Sequence, residues 1–222
     1  MGDVNQLAFV QEHKHQFKGP YLEVGSKDYG AHQKVRGLVD PGDYVGIDML
    51  EGDGVDHVLD LTLSFDEIDA VLGGRKFNTI FCLSVLEHCT DPAAMCRSMT
   101  RLLNPGGAAY ISVPFIFKFH GYPSDYWRFT PEGVRVICPD LTFDPEDSVM
   151  STEAPGDVHP IDTDLLRVNF SVSKAFKTGG FFRGLSAVGV KLAKTLRLAP
   201  WLLEHRYVFP PVMLHMIGRK PE

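Results

Sequence analysis

Residues 20–30 read Pro20-Tyr21-Leu22-Glu23-Val24-Gly25-Ser26-Lys27-Asp28-Tyr29-Gly30. The short apolar run from Tyr21 to Val24 breaks into a polar turn at Gly25. A strand that ends in a glycine turn and leads into a helix is how α/β proteins offer a strand end to a nucleotide-like ligand. Glu23 narrows what that ligand can be. A carboxylate beside the turn repels a pyrophosphate and attracts a cationic or hydroxyl-rich group. The alternating glycines of the usual dinucleotide turn are missing. Lys27 and Tyr29 stand where the second and third would be, and Gly30 comes one place late. On these residues alone, an ordinary strand–turn–helix connection explains the pattern equally well.

The segments downstream decide between the two. Ala31 to Val39 reads as a short helix ended by Pro41-Gly42. Tyr44 to Ile47 is a second strand closing on Asp48, and Val55 to Leu59 a third closing on Asp60. The run Ser64-Phe65-Asp66-Glu67 is a capping box, because Ser64 and Glu67 can satisfy each other's free backbone donors. It opens a helix that Gly73-Gly74 stops. Phe77 to Leu83 is apolar and β-rich, as a strand buried on both faces must be. Asp91-Pro92 sets an N-cap and a first-turn proline for a helix to Leu103. Asn104-Pro105-Gly106-Gly107 then turns the chain into a fifth strand, Ala108 to Val113. Strands alternating with helices imply a parallel sheet with right-handed crossovers, whose ligands sit outside the carboxyl ends of the strands. Glu23, Asp48 and Asp60 fall along that edge.

The composition is that of a globular chain: 222 residues, 44% hydrophobic and 23% charged, fitting one domain with a lid or insertion. Cys82, Cys89, Cys96 and Cys138 form no CxxC pair, so buried free thiols in a reducing compartment are expected. The N-terminal residues lack an apolar leader segment, and no apolar run approaches the ~20 residues of a membrane span. A cytoplasmic protein is the expectation. Residues 171–222 hold 9 Lys+Arg against 2 Asp+Glu, while the first 170 hold 13 against 26. The acidic body argues against a nucleic-acid partner, which needs a basic footprint. The basic tail suits a solvated face or peripheral contact with a membrane surface.

Five segments together resemble the class I S-adenosylmethionine-dependent methyltransferases of the small-molecule branch, over roughly residues 20–137. They are Leu-Glu-Val-Gly-Ser at 22–26, Gly-Ile-Asp at 46–48, FNTIFCLSVLEHCTDP at 77–92, RLLNPGGAAYISVP at 101–114 and HGYPSDYWRFTPEG at 120–133. The resemblance implies a Rossmann-like α/β fold: a seven-stranded, mostly parallel sheet with helices on both faces. It also implies S-adenosylmethionine (SAM) as cofactor. That ligand carries a sulfonium, an ammonium and a ribose, the features Glu23 favours.

In that frame Gly25 and Ser26 form the cofactor turn, with Glu23 beneath it. Asp48 accepts the ribose hydroxyls, through charge-assisted bonds about twice as strong as neutral ones. Met49 lies against the adenine, Asp60 and Leu61 edge it, and Ser84 and Val85 face the sulfur end. His88 and His120 are the candidate bases, since an imidazole titrates near neutrality. Ser84 stands where an acidic cluster beside Glu87-His88 would need a carboxylate, so no metal is expected.

The expected product is a methylated small molecule or sugar, at oxygen. The alternative is a non-catalytic SAM-fold sensor or partner protein. Residues 1–19 read as an N-terminal arm and 20–222 as the methyltransferase domain. A sixth strand begins near Leu141, and Val212 to Ile217 forms the last, antiparallel beside the fifth. Residues 150–209 read as an insertion or lid. Within it Phe181 to Leu198 is helical, with Leu185, Val188, Leu192 and Leu196 on one face.

Overall fold

A computed structural model describes residues 4–30, 35–121, 124–161, 172–196 and 212–222. The chain forms two compact units, Met1–Ile161 with Pro210–Glu222, and Asp162–Phe209.

The larger unit is built on one sheet. Its strands are β1 (Tyr21–Val24), β2 (Tyr44–Asp48), β3 (His57–Val58), β4 (Phe77–Leu83), β5 (Leu103–Ile116), β6 (Thr142–Thr152), β7 (Val158–Pro160) and β8 (Val212–Arg219). They lie in the order β3-β2-β1-β4-β5-β8-β6-β7. The first five pair in parallel. β8 runs antiparallel between β5 and β6, and β7 antiparallel to β6. The expectation of seven strands is therefore corrected to eight. The extra strand is a three-residue edge, Val158–Pro160, set back onto Val149–Ser151 by a turn in which Thr152 Oγ1 donates to the Asp157 carboxylate at 2.5 Å and Gly156 takes φ +78°. So short a strand, ending in proline, carries no periodicity that a sequence reading can detect. The last three residues of β6 and all of β7 thus fall at the start of the stretch read as an insertion.

Central strand β4 is buried from Phe77 and from Thr79 through Cys82, as its apolar run demands. α2 (Phe65–Leu72) opens with both halves of the capping box formed and closes on Gly73 in the left-handed region. α3 (Pro92–Leu102) has Asp91 as N-cap, its side chain accepting from Ala94 N. α4 (Pro131–Ile137) follows N-cap Thr130. Of the helix expected over 31–39, the described part is a 3-10 turn, Val35–Leu38.

The N-terminal segment packs into the sheet. α1 (Val4–Glu12) buries Phe9 and Val10 in a cluster with Val35, Phe81, Tyr110 and Ile217. Phe17 stands edge-on to both Phe81 and Tyr110. Asn5, almost fully buried, donates to the carbonyls of Thr152 and Ala154 and accepts from Gly156 N. It thereby clamps the β6–β7 turn. The smaller unit carries α5 (Val172–Thr195), on which Phe181, Phe182, Leu185, Val188 and Leu192 are exposed, as is Leu196 just after it. Residue 197 and the side chains of Arg183 and Lys194 lie outside the described set. Among the described residues no helix is long and apolar enough to cross a membrane.

Candidate functional site

A cleft opens at the carboxyl ends of the parallel strands, with a cavity of about 190 Å³. Residues at the ends of the strands line it, together with Met95 of α3 and loop residues such as Ser124 and Tyr126. At the end of β1, Gly25 takes φ +74°, and a Cβ there would meet Val85 Cγ2 at 2.4 Å. Only glycine lets the two strand ends approach this closely. The backbone donors of the turn are taken within the protein. Gly25 N and Ser26 N both donate to Ile47 O, Lys27 N to Asp48 Oδ2 at 3.4 Å, and Asp28 N to Asp53 O. Residues 25–28 therefore offer no row of free N–H groups for a phosphate, in keeping with the missing glycines.

At the end of β2, Asp48 is buried to 9% exposure while its carboxylate reaches the cavity; Oδ1 also accepts from Leu50 N at 2.9 Å. A carboxylate has about four lone-pair positions, so two backbone donors leave capacity for ligand hydroxyls. Beyond it the exposed Met49 and Leu50 and the buried Leu59 and Leu61 line an apolar slot suited to a flat ring. Asp60 lines the same slot, its Oδ1 accepting from Thr62 N. Ser84 closes the far end. It holds φ +57° outside β4, with Oγ donating to Gln6 Oε1 of α1 and N donating to Ser112 O. A non-glycine residue in that region costs of order 1 kcal/mol and persists only where its surroundings fix it.

Past Ser84 the chain makes a 3-10 turn, Leu86–His88. His88 lines the cavity; its Nδ1 meets Ser124 O, and burial holds its pKa below the ordinary imidazole value. Glu87 is 1% exposed, with Oε1 3.9 Å from His88 Nε2. Among the described residues its Oε2 has no hydrogen-bond partner, and burial pushes its pKa up to about 8. Residues 124–129 pack against this turn and the strand beside it. Tyr126 N donates to Glu87 O, Trp127 Nε1 to Cys89 O and Phe129 N to Pro114 O. Arg128 grips Asp125 through both guanidinium nitrogens, holding that carboxyl well below its usual range. Asp125 Oδ2 also accepts from His120 N and lies 3.2 Å from His120 Nδ1. The rings of His120 and His88 meet edge to face at 5.0 Å.

Of the residues singled out in the sequence, Gly25, Asp48, Met49, Asp60, Leu61, Ser84, Val85 and His88 line one cavity. His120 stands behind His88. Glu23 and Ser26 do not line the cleft. Strand alternation puts Glu23 on the face of Tyr21 and Tyr44, where it accepts from the Tyr44 hydroxyl. Arg36 stacks on that tyrosine ring and pairs with Asp56. Ser26 Oγ is buried without a hydrogen-bond partner among the described residues. Reading from the sequence missed Gln6 and Ser124 as site residues and gave Glu87 no role. Gln6 carries no signal, since it reaches Ser84 across 78 positions. Glu87 was detectable as an acid directly before His88 in an otherwise apolar run.

A family model described as a methyltransferase domain matches residues 10–133. The ubiquinone biosynthesis O-methyltransferase of Methylococcus capsulatus is 30% identical over 117 residues, 48% of this chain and 48% of that protein. The tRNA U34 carboxymethyltransferase of Campylobacter curvus is 44% identical over 41 residues, 18% of this chain and 14% of that one. The chain thus spans half or less of the length of these curated relatives. In structure it is similar to the 1,6-didemethyltoxoflavin-N1-methyltransferase of Burkholderia thailandensis, which was crystallised with 1,6-didemethyltoxoflavin and S-adenosylhomocysteine. The TM-score is 0.56 at 14% identity, covering 99% of this chain and 79% of that one. A SAM-dependent methyltransferase of Archaeoglobus fulgidus gives 0.53 at 14% identity, covering 99% and 95%.

Proposed function

The chain belongs to the class I SAM-dependent methyltransferases, and from that premise we propose that it moves a methyl group from SAM to a hydroxyl oxygen of a small-molecule or sugar acceptor. The observation that carries this reading is the strand-end cleft. It has one enclosed carboxylate at its rim, an apolar slot beside that carboxylate, and no free N–H row for a phosphate. A ribose with an adenine on one side and a cationic sulfur on the other fits that set of groups.

Asp48 would hold the ribose hydroxyls, Met49 and Leu61 would sandwich the adenine, and Asp60 would accept from its amine. Gly25, Ser84 and Val85 would border the methionyl end. Glu23 and Ser26, outside the cleft wall, would act by supporting the turn. When bound, SAM supplies a methyl carbon already attached to a good leaving group. The protein's share is then alignment, worth up to about 7–11 kcal/mol, and removal of the hydroxyl proton, worth about 10²–10⁴-fold. His88 stands at the cleft wall, with Ser124 O fixing which ring nitrogen carries the proton. His120 and Asp125 stand behind it. Tyr126, half exposed and lining the cavity, would wall the acceptor.

The family's relatives include enzymes named for a quinone precursor and for tRNA, so the acceptor is tested directly. S-adenosylhomocysteine release is followed with nucleotide sugars, simple glycosides, phenols and bulk tRNA. Turnover with a sugar or phenol hydroxyl supports the proposal, and turnover with tRNA alone overturns it. SAM binding without turnover on any of them favours the non-catalytic sensor. The basic C-terminal region and the exposed α5 side chains support peripheral contact with an anionic membrane. Phe181→Ser/Phe182→Ser should then lower sedimentation with anionic vesicles.

A further inference from the structure

We propose that Gln6 of α1 is a positioning residue for the cofactor, holding Ser84 in the backbone conformation that shapes the sulfur end of the cleft. That role rests on the proposed function, which puts SAM in the cleft. Ser84 directly follows β4 and lines the cavity. Among the described residues it is the only non-glycine with a positive φ, +57°. A Cβ crowds the following carbonyl in that region. Glycine is therefore the usual occupant, with Asn and Asp the usual exceptions because their side chains bond locally. Serine here makes its bond far away: Oγ donates to Gln6 Oε1 at 2.8 Å, 78 positions earlier in the chain.

Both ends of that bond are fixed. Ser84 N donates to Ser112 O of β5 at 2.9 Å, so the residue is held from the sheet by its backbone and from α1 by its side chain. Gln6 is 6% exposed, on a helix anchored on either side of it. Asn5 donates to the carbonyls of Thr152 and Ala154, and Phe9 packs into the sheet cluster and stacks on His215 at 5.4 Å. A buried polar pair of this kind is costly to break from one side, because the partner is left unsatisfied. Gln6 itself does not line the cavity, so its effect on a ligand passes through Ser84.

What Ser84 sets is the course of the chain after β4. Val85 comes next, with its Cγ2 2.4 Å from where a Cβ on Gly25 would stand, and the 3-10 turn Leu86–His88 follows. Val85 and His88 both line the cavity. Relaxation of Ser84 to a negative φ would rotate the peptide beyond it and shift both side chains relative to Gly25. Gln6 thus offsets a backbone strain of the kind that persists only where its surroundings fix it. Glycine adopts φ +57° without that strain, so a glycine at this position has no need of Gln6.

The test is a double-mutant cycle on the full chain, with S-adenosylhomocysteine affinity read by calorimetry and folding by urea midpoint. Gln6→Met, which keeps an unbranched side chain of similar length without the amide oxygen, and Gln6→Ala are each made in the wild-type and in the Ser84→Gly background. In the wild-type background either substitution should weaken binding about tenfold or more. In the Ser84→Gly background the same substitution should weaken it less than about threefold. A role confined to helix packing predicts equal losses in both backgrounds. That result, or undiminished binding by Gln6→Met in the wild-type background, overturns the proposal. A Gln6 variant that folds only together with Ser84→Gly supports it. Gln6→Met decides if Gln6→Ala folds in neither background, and unfolding of both variants in both backgrounds overturns the proposal. A wild type that binds no S-adenosylhomocysteine overturns the cofactor reading and this role with it, whereas a wild type that binds while Gln6→Met binds equally well overturns the role alone.

Discussion

Asp48 and Gly25 show how one residue serves both fold and site. Asp48 ties the first and second strand ends together by accepting from Lys27 N and Leu50 N, and it faces the cleft with what capacity remains. Asp48→Asn removes the charge that strengthens bonds to ligand hydroxyls. At about 1.5–3 kcal/mol for such bonds, it should weaken S-adenosylhomocysteine binding about 10–100-fold by calorimetry. Gly25→Ala meets two obstacles, a φ of +74° and Val85 at 2.4 Å. It should lower unfolding free energy by at least about 1 kcal/mol in urea titration and reduce cofactor binding as Val85 is pushed aside. Both residues were legible because they end strands. Glu23 was legible as an acid of the turn but not in its contacts. Which face a strand residue occupies depends on neighbours such as Tyr44, which only the assembled sheet identifies.

Helices and strands with strong local chemistry were readable almost to the residue. The capping box of α2, the Asp91-Pro92 start of α3 and the apolar run of β4 each settle their structure within a few neighbouring side chains. Elements held by distant contacts were not. α1 looks polar in sequence, yet two apolar residues and two buried amides fix it to the sheet. The β6–β7 hairpin depends on Asn5, some 150 positions away. Asn5→Ala leaves the carbonyls of Thr152 and Ala154 and the N–H of Gly156 without that partner. It should cost about 1–3 kcal/mol, and amide exchange should accelerate at β7 while the β4 amides stay protected. Equal exchange at β7 would mean that the clamp carries no weight.

At the scale of the molecule, burial of His215 couples the sheet to pH. Ser112 Oγ and Ser151 Oγ flank the two nitrogens of the ring, Phe9 stacks on it, and burial pushes its pKa down to about 3. The folded value lies below the ordinary 6.5, so the contribution to stability is present above pH 6.5 and is lost as pH falls from there towards 3. The slope is about 1.4 kcal/mol per unit. Glu87, pushed up to about 8, acts in the opposite sense between its ordinary 4.5 and 8. The His215 term is therefore read as the difference in urea stability between wild type and His215→Gln at pH 7 and pH 5. The wild type should lose more on acidification, and equal losses would exclude a buried neutral imidazole.

The placement of a sulfonium nucleoside across the strand ends is tested most directly by a crystal structure of the chain grown with S-adenosylhomocysteine. The ribose hydroxyls should lie on Asp48, the adenine between Met49 and Leu61, and the sulfur beside Ser84. A nucleoside bound away from the carboxyl ends of β1, β2 and β4, or none at saturating concentration, would contradict the account.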